Sequence, residues 1–71
     1  MFNFDKLTGR IIEKYGTRKA FAVAMEMAEN SLSDRLTGKV PFRMDEIFKA
    51  AQLLDILPEE IGQYFFTPKV R

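Results

Sequence analysis

The 71-residue sequence contains no cysteine and no histidine. Without cysteine it has neither a disulfide framework nor a thiolate metal site. Without histidine it lacks both the commonest general base and the commonest metal ligand. Asp45–Glu46 and Glu59–Glu60 are adjacent acids, but each pair sits at an apparent helix start, where the helix dipole accounts for it. A length of 71 residues also excludes most enzymes built on a sizeable two-lobed core. The expectation is a protein that is not an enzyme and uses no cofactor, metal or small-molecule ligand.

An excess of one charge is missing as well. Eleven Lys and Arg stand against ten Asp and Glu, a net charge of +1. A domain that binds nucleic acid mainly by neutralising phosphates is expected to be far more basic. No apolar run approaches the roughly 18 residues needed to cross a bilayer, and the N-terminus does not read as a signal peptide. An intracellular, soluble chain without membrane partners is expected.

What is present is helical periodicity, punctuated by glycine and proline. The first segment, Asp5 to Tyr15, has Asp5 as its expected N-cap, Leu7, Ile11 and Tyr15 on one stripe, and Gly16 as a stop. Gly9 inside it either permits close packing or weakens the helix. The second, Thr17 to Met25, opens on a threonine cap and places Phe21, Ala22 and Met25 on one face. The third, about Glu29 to Leu36, carries Leu32 and Leu36 and stops at Gly38. The fourth, Met44 to about Leu54, has Ile47, Ala50, Ala51 and Leu54 at i, i+3, i+4 and i+7, with Glu46 and Lys49 on its flank. The fifth begins at Pro58 and presents Ile61, Tyr64 and Phe65 before Pro68 ends regular structure.

No stretch alternates long enough to read as a strand. The predicted fold is an all-α, compact bundle of five short helices forming one domain over residues 1–71, with a tail at residues 67–71. Helices this short depend on packing, here around Leu7, Ile11, Phe21, Leu32, Ile47, Leu54 and Ile61. The core or surface position of Tyr64 and Phe66 stays open.

Residues 17–38 are the informative piece. Two short helices separated by three or four residues have helix-turn-helix spacing, with Ala22 as the small residue that lets them approach. That arrangement projects the start of the second helix of the pair outward, where it can enter a major groove. Any helical hairpin can share this geometry, so the order of motifs carries more weight. Lys19-Ala20-Phe21-Ala22, Glu29-Asn30-Ser31-Leu32-Ser33 and Leu36-Thr37-Gly38-Lys39 are followed by Pro41-Phe42, Asp45-Glu46-Ile47, Leu53-Leu54-Asp55-Ile56 and Tyr64-Phe65-Phe66-Thr67-Pro68-Lys69. In this order the chain resembles the phage Cro- and repressor-like helix-turn-helix regulators (a lambda-repressor-like DNA-binding fold). Within that group it is most similar to short Cro-type or modulator-of-repression proteins of temperate phages of Gram-positive bacteria.

The resemblance implies a role in a phage lysis–lysogeny switch, in the cytoplasm of the bacterial host. It places Thr17 and Arg18 against phosphate and Glu29, Asn30, Ser33 and Asp34 on the outward side of the recognition helix. Lys39 falls near the flanking backbone. The plainer reading makes Thr17 a helix cap and Arg18, Lys19, Arg35 and Lys39 a solvated face.

Several positions depart from the family pattern. Glu26 stands where the turn commonly has glycine, Ala28 where the third helix commonly has a serine or threonine cap, and Arg43 where the fourth helix expects a polar cap. Glu29 and Asp34 are acidic where a DNA reader favours Arg, Lys or Gln, although one carboxylate can accept from cytosine. From Thr17 to Lys39 four basic residues face three acidic ones. Val23 and Ala28 would add an apolar patch to that face. Met25 and Met27 are assigned to the core with Phe21, Leu32 and Leu36, but an exposed Met25 or Met27 would enlarge the patch.

Two functions follow. One is a Cro-like repressor, dimeric on operator DNA. The other is an antirepressor whose helix-turn-helix face binds the N-terminal DNA-binding domain of the cognate phage repressor, with operator DNA absent or as a third component. The second is favoured because Val23, Ala28, Glu29 and Asp34 all depart in the same direction.

Overall fold

The computed structural model describes residues 2–69. It contains α1 (Asp5–Tyr15), α2 (Arg18–Met25), α3 (Glu29–Leu36), α4 (Met44–Leu53) and α5 (Ile61–Phe65), the last entered through a 3-10 turn at Pro58–Glu60. The only extended pairing among the described residues is an isolated antiparallel bridge between Phe2 and Pro68. Beside it the Asn3 N–H donates to the Thr67 carbonyl at 2.7 Å, which ties the start of the chain to the segment after α5. The last two residues of the expected tail lie outside the described residues.

The helix boundaries follow local chemistry closely. Gly16 ends α1 with φ of +82°, and Gly38 follows α3 with φ of +80°, conformations that only glycine adopts cheaply. Thr17 is extended and its Oγ1 accepts the Ala20 N–H at 3.1 Å, the expected cap of α2. The N-terminus of α1 differs from expectation. Asp5 is its first helical residue, not its cap; Phe4 holds the cap position, and Asn3 Oδ1 accepts the Asp5 N–H at 2.7 Å. A short amide side chain two residues upstream satisfies that donor, so the carboxylate is left to favour the helix dipole. Gly9 is explained by no contact, because a Cβ there would meet nothing within 4 Å.

The core is wholly apolar. Phe21, Phe65, Leu7, Ile11, Leu32 and Leu54 are fully buried, and among the described residues no polar or charged residue is buried with them. Ile47, Ala50 and Ala51 line the inner side of α4. Ile61, expected in this set, is half-buried at the start of α5 and packs against the core from its edge. Tyr64 is buried and Phe66 is 45% exposed. Met25 is buried, one turn after Phe21 on the inner side of α2, so it adds nothing to an exposed patch; Met27 is half-buried against the core.

A phenylalanine cluster closes one end. Phe42 sits edge-on between Phe4 and Phe65, with ring centroids 5.4 and 5.3 Å away, and Phe2 meets Phe66 edge-on at 5.5 Å. Such T-shaped pairs match positive ring edges to negative faces. Phe4, the cap residue of α1, thereby packs against the core.

Candidate interaction face

The α2–α3 turn is the three-residue segment from Glu26 to Ala28. Glu26 takes up the left-handed conformation, with φ of 60° and ψ of 42°, so the turn keeps its glycine-like shape without a glycine. Its N–H donates to the Val23 carbonyl at 3.0 Å, and the Met27 N–H donates to the Ala22 carbonyl at 3.0 Å. A lysine from α4 supports the same point. Lys49 Nζ lies 2.6 Å from Glu26 Oε2 and 3.3 Å from the Met25 carbonyl. The hydrogen bond and the charge of Lys49 hold the Glu26 carboxyl below its ordinary range.

Ala28 caps α3 with an extended backbone and no side-chain bond, as expected from its methyl group. Beyond it, Glu29 and Asn30 are exposed, Ser33 and Asp34 are half-buried, and Leu32 and Leu36 point into the core. Thr17, Arg18, Val23 and Lys39 are exposed too, with Val23 at 72%. All nine residues singled out from the sequence therefore reach the surface, carried by the packed pair α2 and α3 and the loop that follows. Thr17 has its hydroxyl committed as a cap acceptor. Lys39 is held near the end of α3, because its N–H and that of Val40 both donate to the Asp34 carbonyl, at 2.9 and 3.1 Å.

Arg35 departs from the solvated-face expectation. Its side chain is 15% exposed; Nε donates to Glu46 Oε1 at 2.8 Å and Nη1 to the Ser31 carbonyl at 3.0 Å. Glu46 Oε1 also accepts the Arg43 N–H at 2.9 Å, so the carboxylate supplies the cap that the Arg43 side chain does not. Burial pushes the Glu46 carboxyl upward, but the bonds from Arg35 and the Arg43 N–H, with the Arg35 charge, outweigh it and hold the group below its ordinary range. As a result α3 shows solvent two carboxylates, from Glu29 and Asp34, while its single cation is spent on α4.

Sequence reasoning passed over Arg35, Glu46 and Lys49 as parts of this site. The signal was present for the pair: Arg35 lies between Leu32 and Leu36 on the inner flank of α3, and Glu46 stands three residues after the cap of α4. A cleft of about 460 Å³ lies at the phenylalanine cluster, lined by Phe2, Phe4, Val40, Phe42, Phe65 and Phe66 among others, and none of the nine residues borders it. Among the described residues no group of acids could hold a metal ion, and no helix is long and apolar enough to cross a membrane.

The fold and this face define a small all-helical module with a tight α2–α3 turn. The chain belongs to the family described as a protein of unknown function (DUF739), whose pattern matches residues 1–68. Its structure is similar to the solution structure of the modulator of repression (MOR) of the temperate bacteriophage TP901-1 from Lactococcus lactis. That similarity comes with 41% sequence identity and a TM-score of 0.82, covering 99% of this chain and 95% of the other. No curated protein matches the chain.

Proposed function

We propose that this chain is a phage regulator of the lysis–lysogeny switch, acting in the host cytoplasm as an antirepressor. Its helix-turn-helix face binds the DNA-binding domain of the cognate phage repressor and covers the surface that reads the operator. The observation that carries this reading is the charge of α3, whose outward side holds Glu29 and Asp34 and no cation. Such a helix repels phosphate and complements the basic surface of a DNA reader. Val23 and Ala28 add apolar area to the same face. The name of the TP901-1 relative, a modulator of repression, agrees with this reading.

Fluorescence anisotropy with the phage operator duplex tests it, at low and physiological salt, with and without the repressor's DNA-binding domain. The isolated chain is expected to leave the duplex unbound and to strip the repressor domain from it. Tight operator binding by the chain alone, with a steep salt dependence, would instead establish a Cro-like repressor that reads the major groove as a dimer.

A further inference from the structure

The only arginine of α3 sits on the inner flank of the helix, and one carboxylate of α4 holds its guanidinium there. Glu46 accepts Arg35 Nε at 2.8 Å while the same oxygen accepts the Arg43 N–H at 2.9 Å. The carboxylate is therefore anchored in the first turn of α4 and cannot follow the guanidinium outward. Both side chains are largely shielded, at 15% and 13% exposure, which makes this pair less open to solvent screening than a surface pair. The neighbouring acid, Asp45, is different: its partner is Arg43 at 3.3 Å, and both of those side chains are more than two-thirds exposed.

We propose that Glu46 is the positioning residue that sets the partner class of the α2–α3 face: by holding Arg35 inward it withholds a phosphate-binding guanidinium, so the face accepts a basic protein surface and refuses a nucleic-acid backbone. This deepens, and rests on, the antirepressor reading above. A guanidinium is the side chain best shaped to grip a phosphate with two donors. On α3 that fork is aimed at Glu46 and the Ser31 carbonyl. Specificity here comes from sequestering a cation already present, in addition to the acids that face out.

The test uses the full chain and a labelled mixed-sequence DNA duplex at low salt, read by anisotropy. Glu46→Ala frees Arg35 and is expected to tighten duplex binding roughly ten-fold, the scale of one charge-assisted hydrogen bond, and to steepen the salt slope by about one. Glu46→Gln keeps an oxygen for the Arg43 N–H, so it protects the measurement if the alanine variant does not fold; its gain is expected to be smaller and in the same direction. Asp45→Ala removes an equal charge one residue away without releasing Arg35, and should gain much less. Arg35→Ala added to Glu46→Ala, or to Glu46→Gln if the alanine does not fold, should return binding to the wild-type level. The inference is overturned if the folded Glu46 variants gain nothing, if Asp45→Ala gains as much, or if the gain survives loss of Arg35. These titrations contain no repressor, so failure of the wild-type chain to displace the repressor domain would sink the antirepressor reading separately.

Discussion

Lys49, in the middle of α4, bonds the carboxylate of Glu26 at 2.6 Å and so braces the one turn residue between α2 and α3 that has a left-handed backbone. The same ammonium takes the Met25 carbonyl, one of the orphan acceptors at the end of α2. Lys49→Met is expected to lower Tm by about 4 °C. Glu26→Gly should raise it, since glycine takes this conformation freely. The rise should be larger in the Lys49→Met background, where no ion pair is lost with the carboxylate. Circular dichroism melts of the four proteins read this coupling, and equal rises in both backgrounds would show that the two residues do not cooperate.

Gly9 lies mid-way along α1, exposed, with open space where a Cβ would be. Gly9→Ala removes unfolded-chain entropy and improves helix propensity without a clash, a gain of about 0.5 to 1 kcal/mol. Urea unfolding should show a higher midpoint at unchanged m-value. A lower midpoint would mean that this position touches something the fold does not reveal.

The parts of this fold written in consecutive residues were legible, and the parts made by distant ones were not. Gly16, Thr17 and Gly38 act on their own backbone, so the ends of α1, α2 and α3 could be read directly. The i, i+3, i+4 spacing likewise placed Leu7, Ile11, Phe21, Leu32, Ile47 and Leu54 in the core. Asp5 was misjudged because a competing acceptor, Asn3, lay two residues upstream. Arg35–Glu46 and Lys49–Glu26 span 11 and 23 residues, and only helix packing brings them together. The phenylalanine cluster is similar: nothing local says that Phe4 will meet Phe42 and Phe65. For the candidate face, the residues that the family resemblance named do lie at the surface, but the reading of Arg35 as part of a solvated face missed its bond to Glu46.

Phe42 is the keystone of that cluster, since it contacts both Phe4 before α1 and Phe65 in α5 edge-on. Phe42→Ala removes both edge contacts and part of the cover over the core. It is expected to destabilise by about 2 to 3 kcal/mol, below the full core range because the ring is half-buried. In a domain of this size that is a large share of the total stability. Phe42→Leu should recover about half. A loss under roughly 0.5 kcal/mol in chemical denaturation would show that the rings merely sit side by side.

Acid should destabilise the fold through three carboxylates. Glu46 is held low as described, and Lys14 holds Asp55 low through a 2.7 Å hydrogen bond and its charge, as Lys49 does Glu26. Because the folded values lie below the ordinary ones, the unfolded chain takes up protons first as pH falls. Their contribution is complete above the ordinary carboxylate range and disappears as pH drops through the lower folded values. No histidine or cysteine side chain titrates, so stability should be flat between about pH 6 and pH 8. Added salt should remove the exposed Glu26 and Asp55 shares and spare that of Glu46. Glu46→Gln should flatten the remaining acid slope in a pH series of urea melts; an unchanged slope at high salt would contradict this assignment.

Reversing the outward charge of α3 should reverse the preference of the face. Asp34 uses its main-chain carbonyl, not its carboxylate, to hold Lys39 and Val40, so Asp34→Arg leaves those bonds in place. Glu29 sits exposed in the first turn, where Glu29→Gln loses only a modest dipole interaction. The double variant should therefore fold normally while the outward side of α3 changes by three charge units toward positive. Its affinity for the operator duplex is expected to rise by ten-fold or more at low salt, on the order of one to two new phosphate contacts. Its affinity for the repressor's DNA-binding domain should fall by a similar factor, because an arginine now meets a basic surface. The two titrations, run on the same folded protein, decide the matter together. If neither affinity moves, α3 is not the contact surface, and the apolar cleft at the phenylalanine cluster becomes the next place to mutate.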